Sequence, residues 1–260
     1  MPYRGMFVQE RLGAIEALLQ QKHRLTVGEL AQHFDASEIT IRRDLRLLEE
    51  AGKIVRAHGG ALRINYQKPE PGFDHKAVDA VEAKAAIART AAEGLPVRGL
   101  VFVDSGTTCL EVGRRILERS ELTVVTNSIP LLALAGEAKA RIIGLGGEVR
   151  PVSLALVGGL STDGLKAFRF DAAVIGASGL DPDDGALTTE LSEASVKQAA
   201  CARSRLRILV AHGDKWGQSA SVLIAPWKGF HRFVSDVRPS RAARGRLSQA
   251  DVEIHIAAMR

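Results

Sequence analysis

The stretch Ser37-Glu38-Ile39-Thr40-Ile41-Arg42-Arg43-Asp44-Leu45-Arg46-Leu47-Leu48-Glu49-Glu50-Ala51-Gly52-Lys53-Ile54-Val55-Arg56-Ala57-His58-Gly59-Gly60-Ala61 decides how the rest of the chain is read. Ser37 is a good helix N-cap. Ile41, Leu45 and Leu48 then fall on one helical face, and the spacing predicts a helix to about Ala51, ended by Gly52. Ile54-Val55 suits a short strand, His58-Gly59-Gly60 a turn, and Ala61-Leu62-Arg63-Ile64 a returning strand. Upstream, Val8, Leu12, Ile15, Leu18 and Leu19 mark an amphipathic helix from Val8 to Gln21, broken by His23-Arg24-Leu25. Thr26 caps a second helix, with Glu29 in capping-box position and Leu30, Ala31 and Phe34 inward. Helices this short must bury against one another. The tight Asp35-Ala36 break predicts a helix-turn-helix, and the hairpin after it a wing.

In such a motif the N-terminal part of the third helix enters the major groove. Here that part offers Ser37, Glu38, Thr40, Arg42 and Arg43. Arginine can hold guanine with two bonds, and threonine can touch a thymine methyl. Arg46, Lys53, Arg56 and His58 lie where phosphates would be met, and Gly59-Gly60 is small enough to approach the DNA backbone. Taken alone, Arg-Arg on a helix reads as a solvated face; the helix pattern and the wing together favour double-stranded DNA. Asp44, Glu49 and Glu50 are expected to pair with neighbouring arginines and orient them.

Composition sets wider bounds. The 260 residues are 46% apolar and 25% charged, as in a protein with an ordinary core. A net charge of +5 tolerates an anionic partner without requiring one. Cys109 and Cys201 lie far apart, so neither a disulfide framework nor a zinc site is expected, and no cofactor or metal is called for. No leader and no membrane-spanning run is found, which implies a cytoplasmic protein.

Two domains are expected: 1–66, a linker over 67–78, and 79–260. The linker reading rests on Asn65–Asp74, with two prolines, a glycine and alternating charge. Beyond it, helix-forming Val81–Glu93 precedes apolar runs at Leu100–Val103, Leu122–Val125, Arg141–Leu145, Ala172–Ile175 and Leu206–Ala211, with shorter strands near Arg232–Val234 and Val252–His255. Helical patterns at Cys109–Arg119, Ile129–Ala138 and Glu193–Arg203 separate several of them. This alternation predicts an α/β domain with a mainly parallel sheet.

Ligands of such sheets bind outside the carboxyl ends of the strands. Asp104-Ser105-Gly106-Thr107-Thr108 follows the first strand and opens a helix, as an anion site would; alternatively, its hydroxyls merely cap that helix. It is no Walker loop, and a phosphate monoester suits it better than a nucleotide triphosphate. Asn127, Gly146-Gly147 with Arg150, and Gly176 follow later strands. Glu193 and Lys197 read either as a surface ion pair or, with Lys197 turned inward, as part of a phosphate site. Lys215 is a second cation, and Trp216 covers a ligand or fills core.

The TIRRDL run at Thr40–Leu45, the Arg56-x-His58-Gly59-Gly60 ending, and Arg11, Ile15, Leu18 and Leu30 resemble the signature of the DeoR family of bacterial transcriptional regulators. From about Ala77 onward, Asp104–Thr108, Thr126-Asn127, Gly146-Gly147 with Arg150, Glu193 with Lys197, and Lys215 with Gly217 resemble that family's sensor domain. The resemblance implies a winged helix-turn-helix repressor of sugar-metabolism genes. It also implies a sensor fold similar to ribose-5-phosphate isomerase, a phosphorylated sugar or polyol effector, and a homo-oligomer, dimer or tetramer. His212-Gly213-Asp214-Lys215-Trp216-Gly217 departs from the family's usual Asp-Ser-Ser-Lys-Phe-Gly, and Ser235-Asp236 replaces Thr-Asp. The alternative is a sugar-phosphate isomerase-like enzyme fused to a DNA-binding domain. It would draw a base from Asp181-Pro182-Asp183-Asp184-Gly185, which is also the composition of a solvated turn.

Overall fold

Hydrophobic spacing builds the first unit as expected. In the computed structural model, α1 (Val8–Lys22), α2 (Val27–Phe34) and α3 (Glu38–Glu50) pack on a small antiparallel sheet of β1 (Arg24–Thr26), β2 (Ile54–Ala57) and β3 (Gly60–Arg63). Ile15, Leu19, Leu30, Phe34, Ile41, Leu45, Leu48 and Ile54 form its core. The capping box at Thr26 is present, with Thr26 accepting from the Glu29 amide and Glu29 accepting from the Thr26 amide. The strand β1 was not anticipated. It pairs with β3 and places Gly60 opposite Thr26. A Cβ at Gly60 would stand 2.2 Å from the Leu25 carbonyl oxygen, so strand packing requires glycine here.

The structure describes residues 8–22, 24–51, 53–57, 60–63, 70–218 and 220–259, and the chain divides into two compact units between Lys68 and Pro69. Gly52, His58 and Gly59 therefore lie outside the described residues, as do residues 64–69 of the expected linker. The remainder of that linker differs from expectation. Phe73–Val78 is a helix, α4, begun at Gly72, and Phe73 is buried in the core of the second unit.

In chain order the second unit continues with α5 (Val81–Glu93), β4 (Gly99–Val103), α6 (Thr107–Ile116), β5 (Leu122–Thr126), α7 (Ile129–Leu132) and β6 (Arg141–Gly144). There follow β7 (Glu148–Arg150), β8 (Ala155–Val157), α8 (Gly159–Lys166), β9 (Phe170–Gly176), β10 (Gly179–Asp181) and β11 (Gly185–Thr188). The unit ends with α9 (Leu191–Ala202), β12 (Ser204–Val210), β13 (Val222–Ala225), β14 (Arg232–Ser235), α10 (Arg241–Gln249) and β15 (Glu253–Ile256). The five strands expected from apolar runs and the two shorter ones form one parallel sheet, ordered β15-β14-β12-β9-β4-β5-β6. Alternate residues face opposite layers. Val101, Val103, Ala172 and Val174 join α5 and α6 in one core; Phe102, Ala173 and Ile175 join α8, α9 and α10 in the other. The hairpin β7–β8 and the sheet β10-β11-β13 were not read from the sequence.

The chain enters this sheet at its centre, runs outward through β5 and β6, then returns to β9 on the other side of β4. The boundary between β4 and β9 is thus the topological switch point, where open α/β sheets bind their ligands.

Candidate functional sites: the third helix and the sheet edge

On α3, Glu38, Ile39, Arg42, Arg43 and Arg46 are exposed. Ile39 is 81% exposed, a large apolar side chain held out beside two arginines. Its place in the first turn of the helix is the only signal of it in the sequence. The Ser37 hydroxyl accepts from the Thr40 amide at 3.2 Å and shares a hydrogen bond with the Thr40 hydroxyl at 2.9 Å. Arg42 pairs with Glu38 at 3.0 Å, one helical turn away. Ser37, Glu38, Thr40, Arg42, Arg43 and Arg46 are therefore brought together on one element. Arg56 lies on β2, with its side chain outside the described residues, and Gly60 is buried in the sheet.

Asp44 does not orient the neighbouring arginines. It is 1% exposed and binds Arg11 of α1 at 2.5 Å and 3.2 Å, through the guanidinium Nε and Nη2. Hydrogen bonding to Asp44 raises the Arg11 pKa against the effect of burial. This ion pair fixes α3, and with it the exposed arginines, against α1.

In the second unit, the residues expected to bind an anion gather at the carboxyl edge of the sheet. Asp104 follows β4, Asn127 β5, Gly146 and Gly147 β6, Gly176 β9 and Lys215 β12. They do not all face outward. Asp104 and Asn127 are buried, and Lys197 reaches inward from α9 to the Asp104 carboxylate, so the surface Glu193–Lys197 pair does not form. Asp104 Oδ2 also accepts the Gly176 amide at 3.0 Å, tying the two strands of the switch point together. Burial is the largest influence on both ions. It pushes Asp104 up, and it would push Lys197 down were Asp104 and Glu193 not beside it; with them, Lys197 is raised. Asn127 Nδ2 donates to the Leu156 carbonyl at 3.2 Å. Gly147 has φ +146°, and a Cβ there would meet Ser161 Oγ at 2.3 Å, so its part is close packing against α8. The Ser161 hydroxyl donates to the Gly146 carbonyl at 2.6 Å.

The N-cap of α6 is Gly106, and no side chain caps it. Ser105, Thr107 and Thr108 are thus not helix caps, and the favourable end of the α6 dipole carries no side-chain cap. Lys215 stands half-buried in the turn Gly213–Lys215 and makes no side-chain hydrogen bond or ion pair among the described residues. Burial lowers its pKa first, and the nearby Lys76 lowers it further. Lys84, 3% exposed, donates to the Lys76 and Asp79 carbonyls at the end of α4, and it too has a pKa lowered by burial. Lys76 and Lys84 were missed because the sequence places them in an expected linker and in an Ala-rich helix.

Arg150 of β7 donates to Glu193 at 3.1 Å, to Ser153 at 3.1 Å and to Glu70 at 2.6 Å. Glu70 was not singled out in the sequence. It also binds Lys76 at 2.8 Å and accepts the Thr189 hydroxyl at 2.6 Å. Burial pushes its carboxyl up, but the hydrogen bonds of Lys76, Thr189 and Arg150 outweigh this and hold it at about 2. Trp216 packs against Trp227 and Phe233, as core. The Asp181–Gly185 loop is the β10–β11 turn: Asp181 accepts from the amides of Asp183 and Asp184, and Asp183 pairs with Arg246. Nothing there resembles a poised base. Among the described residues no cluster of His, Cys, Asp and Glu could hold a metal ion, and no helix is long and apolar enough to cross a membrane.

Residues 79–237 match the DeoR C terminal sensor domain, and residues 11–67 the DeoR-like helix-turn-helix domain. The chain belongs to the DeoR family of transcriptional regulators. This DeoR-family chain is 37% identical over 215 residues to the glycerol-3-phosphate regulon repressor of Escherichia coli, spanning 82% of this chain and 84% of that protein. It is 32% identical over 249 residues to the HTH-type transcriptional regulator GlpR of Haloferax volcanii, spanning 96% and 98%. It is 34% identical over 232 residues to the transcriptional repressor AccR of Agrobacterium fabrum, spanning 88% and 89%. Among solved structures, ribose 5-phosphate isomerase A of Methanocaldococcus jannaschii aligns with 52% of this chain and 54% of its own, at 14% identity and a TM-score of 0.38. That likeness is too distant to bear on function.

Proposed function

We propose that this DeoR-family regulator is a cytoplasmic repressor, not an enzyme, of genes for carbohydrate or polyol metabolism. A phosphorylated sugar or polyol bound at the sheet edge controls its affinity for operator DNA. One observation carries the effector reading: Lys215, a half-buried ammonium whose pKa is lowered and which has no ion pair among the described residues, stands at the same edge as the uncapped N-terminus of α6. A dianionic phosphate supplies what both lack. The name of the Escherichia coli relative, a glycerol-3-phosphate regulon repressor, supports the same class and makes glycerol 3-phosphate the first compound to try.

In this reading Thr107, the first amides of α6, Lys215 and Arg150 meet the effector, while Asp104, Asn127 and Lys197 hold the edge in shape from behind. Arg42 and Arg43 read bases, Arg46 meets phosphate, and Ile39 packs on a thymine methyl. The sensor units associate as a dimer or tetramer, so that two α3 helices meet half-sites spaced by about one turn of DNA, roughly 34 Å, or a multiple of it. A thermal-shift screen of phosphorylated sugars and polyols tests the effector, because ligand binding raises apparent stability by mass action. At least one compound should raise the melting temperature of the wild type, and Lys215→Ala should lose that shift while keeping its DNA affinity. A panel without any shift, or an unchanged shift in Lys215→Ala, contradicts the reading.

A further inference from the structure

Glu70 is the second residue of the sensor unit, and its carboxylate is held as a bound ligand would be. Oε1 accepts Lys76 Nζ at 2.8 Å; Oε2 accepts Arg150 Nη2 at 2.6 Å and the Thr189 hydroxyl at 2.6 Å. The three donors come from α4, from β7 and from the segment between β11 and α9. Two cations and a hydroxyl converging on one carboxylate, itself 12% exposed, is a donor set suited to a phosphate as well.

One of the donors, Arg150, does not depend on Glu70 for its placement. Arg150 is also held by Glu193 and Ser153, and Glu193 by the Thr188 hydroxyl at 3.0 Å. Glu193 in turn lies beside Lys197, which binds Asp104 at the switch point. The Arg150 end of the seat is therefore preorganised by an ionic network that runs back to β4. The unpaired Lys215 is close enough to Lys76 and Glu70 for their charges to act on it.

We propose that Glu70 is an internal stand-in for the effector: Arg150, Lys76 and Thr189 form the seat of a phosphate monoester, and the effector enters by expelling the Glu70 carboxylate. This rests on the reading of the sensor as a receptor for phosphorylated compounds. A phosphate monoester brings a charge near −2 and three acceptor oxygens, against one charge and two oxygens for Glu70. The cationic seat, with Lys215 beside it, favours the exchange, and the released carboxylate is resolvated. The exchange also carries a signal. Glu70 stands in the chain directly after the boundary with the DNA-binding unit, so its expulsion frees the first segment of the sensor unit, residues 70–78, from the seat. The effector then selects a state in which this segment is released.

Calorimetric titration of the full chain with inorganic phosphate and with glycerol 3-phosphate tests the proposal. Glu70→Gln and Glu70→Ala should each bind both probes at least about threefold more tightly than the wild type, since no carboxylate must be displaced. Without any probe, Glu70→Gln should show the operator affinity that the wild type reaches only at saturating probe. A readout on the unmutated chain guards against misfolded variants: glycerol 3-phosphate should speed hydrogen exchange over residues 70–78. Equal or weaker binding by folded Glu70 variants, or protection of 70–78 by the probe, overturns the proposal. If the wild type binds a probe, Lys215→Ala abolishes that binding and Glu70→Gln does not tighten it, the effector site stands and the stand-in falls. If no protein binds either probe, the stand-in falls, and the effector reading is decided by the thermal-shift panel.

Discussion

Asp44 sits in a run of charged residues, Arg42-Arg43-Asp44, that hydropathy alone assigns to the surface. Helix phase says otherwise, because Asp44 lies three residues after Ile41 and four before Leu48, on the buried stripe. Its partner Arg11 is 33 residues away, so no local rule could supply it. Removing one member of a buried pair leaves the other uncompensated. Asp44→Ala should cost about 3 kcal/mol of stability in the DNA-binding unit, read by urea denaturation. Glu70 gives a pH signature. Its folded pKa of about 2 lies below the ordinary 4.5, so it stabilises the fold above about pH 4.5, and this contribution is lost as pH falls toward about 2. Acid unfolding of Glu70→Gln should be less steep than that of the wild type across this window. Identical acid limbs would deny that Glu70 is ionised and bound. Lys197 is the third residue whose role depends on burial. The i,i+4 spacing to Glu193 suggested a surface pair, but Ala194, Val196, Ala200 and Cys201 show that this face of α9 is inside.

At the scale of elements, what was legible followed from how completely an element is buried. The strands of the main sheet are covered on both faces or lie beside strands that are, and five of them left an apolar run in the sequence. The strands β7, β8, β10, β11 and β13 are three or four residues long, too short to stand out even where they are apolar, as in Val222-Leu223-Ile224-Ala225. The helix α4 was hidden by Pro69, Pro71 and Gly72, which read as linker; in the structure Gly72 is the N-cap and Phe73 the anchor. In the first unit the three helices were legible from their stripes, while β1 was not, because its backbone pairing with β3 is what makes it a strand. Gly60 depends on that pairing. Gly60→Ala must move β1 or β3 by overlap with the Leu25 carbonyl, and should destabilise the DNA-binding unit by about 1–3 kcal/mol. A melting curve indistinguishable from the wild type would contradict the β1–β3 register.

For the whole molecule, a net charge of +5 is too small to make binding to DNA tight by charge alone. In the proposed reading, specific contacts from α3 and the pairing of two DNA-binding units supply the rest, and an effector that changes how those units are presented then changes affinity strongly. Fluorescence anisotropy of a DNA duplex selected by the protein from random sequence measures this directly, at fixed salt, with and without the phosphorylated sugar or polyol that gives the largest thermal shift. The wild type should change its affinity for the duplex at least about tenfold when the compound is added, corresponding to a coupling of about 1.4 kcal/mol. Lys215→Ala should bind the duplex as the wild type does and ignore the compound. An affinity that the compound leaves unchanged in the wild type, or moves equally in Lys215→Ala, would contradict the account.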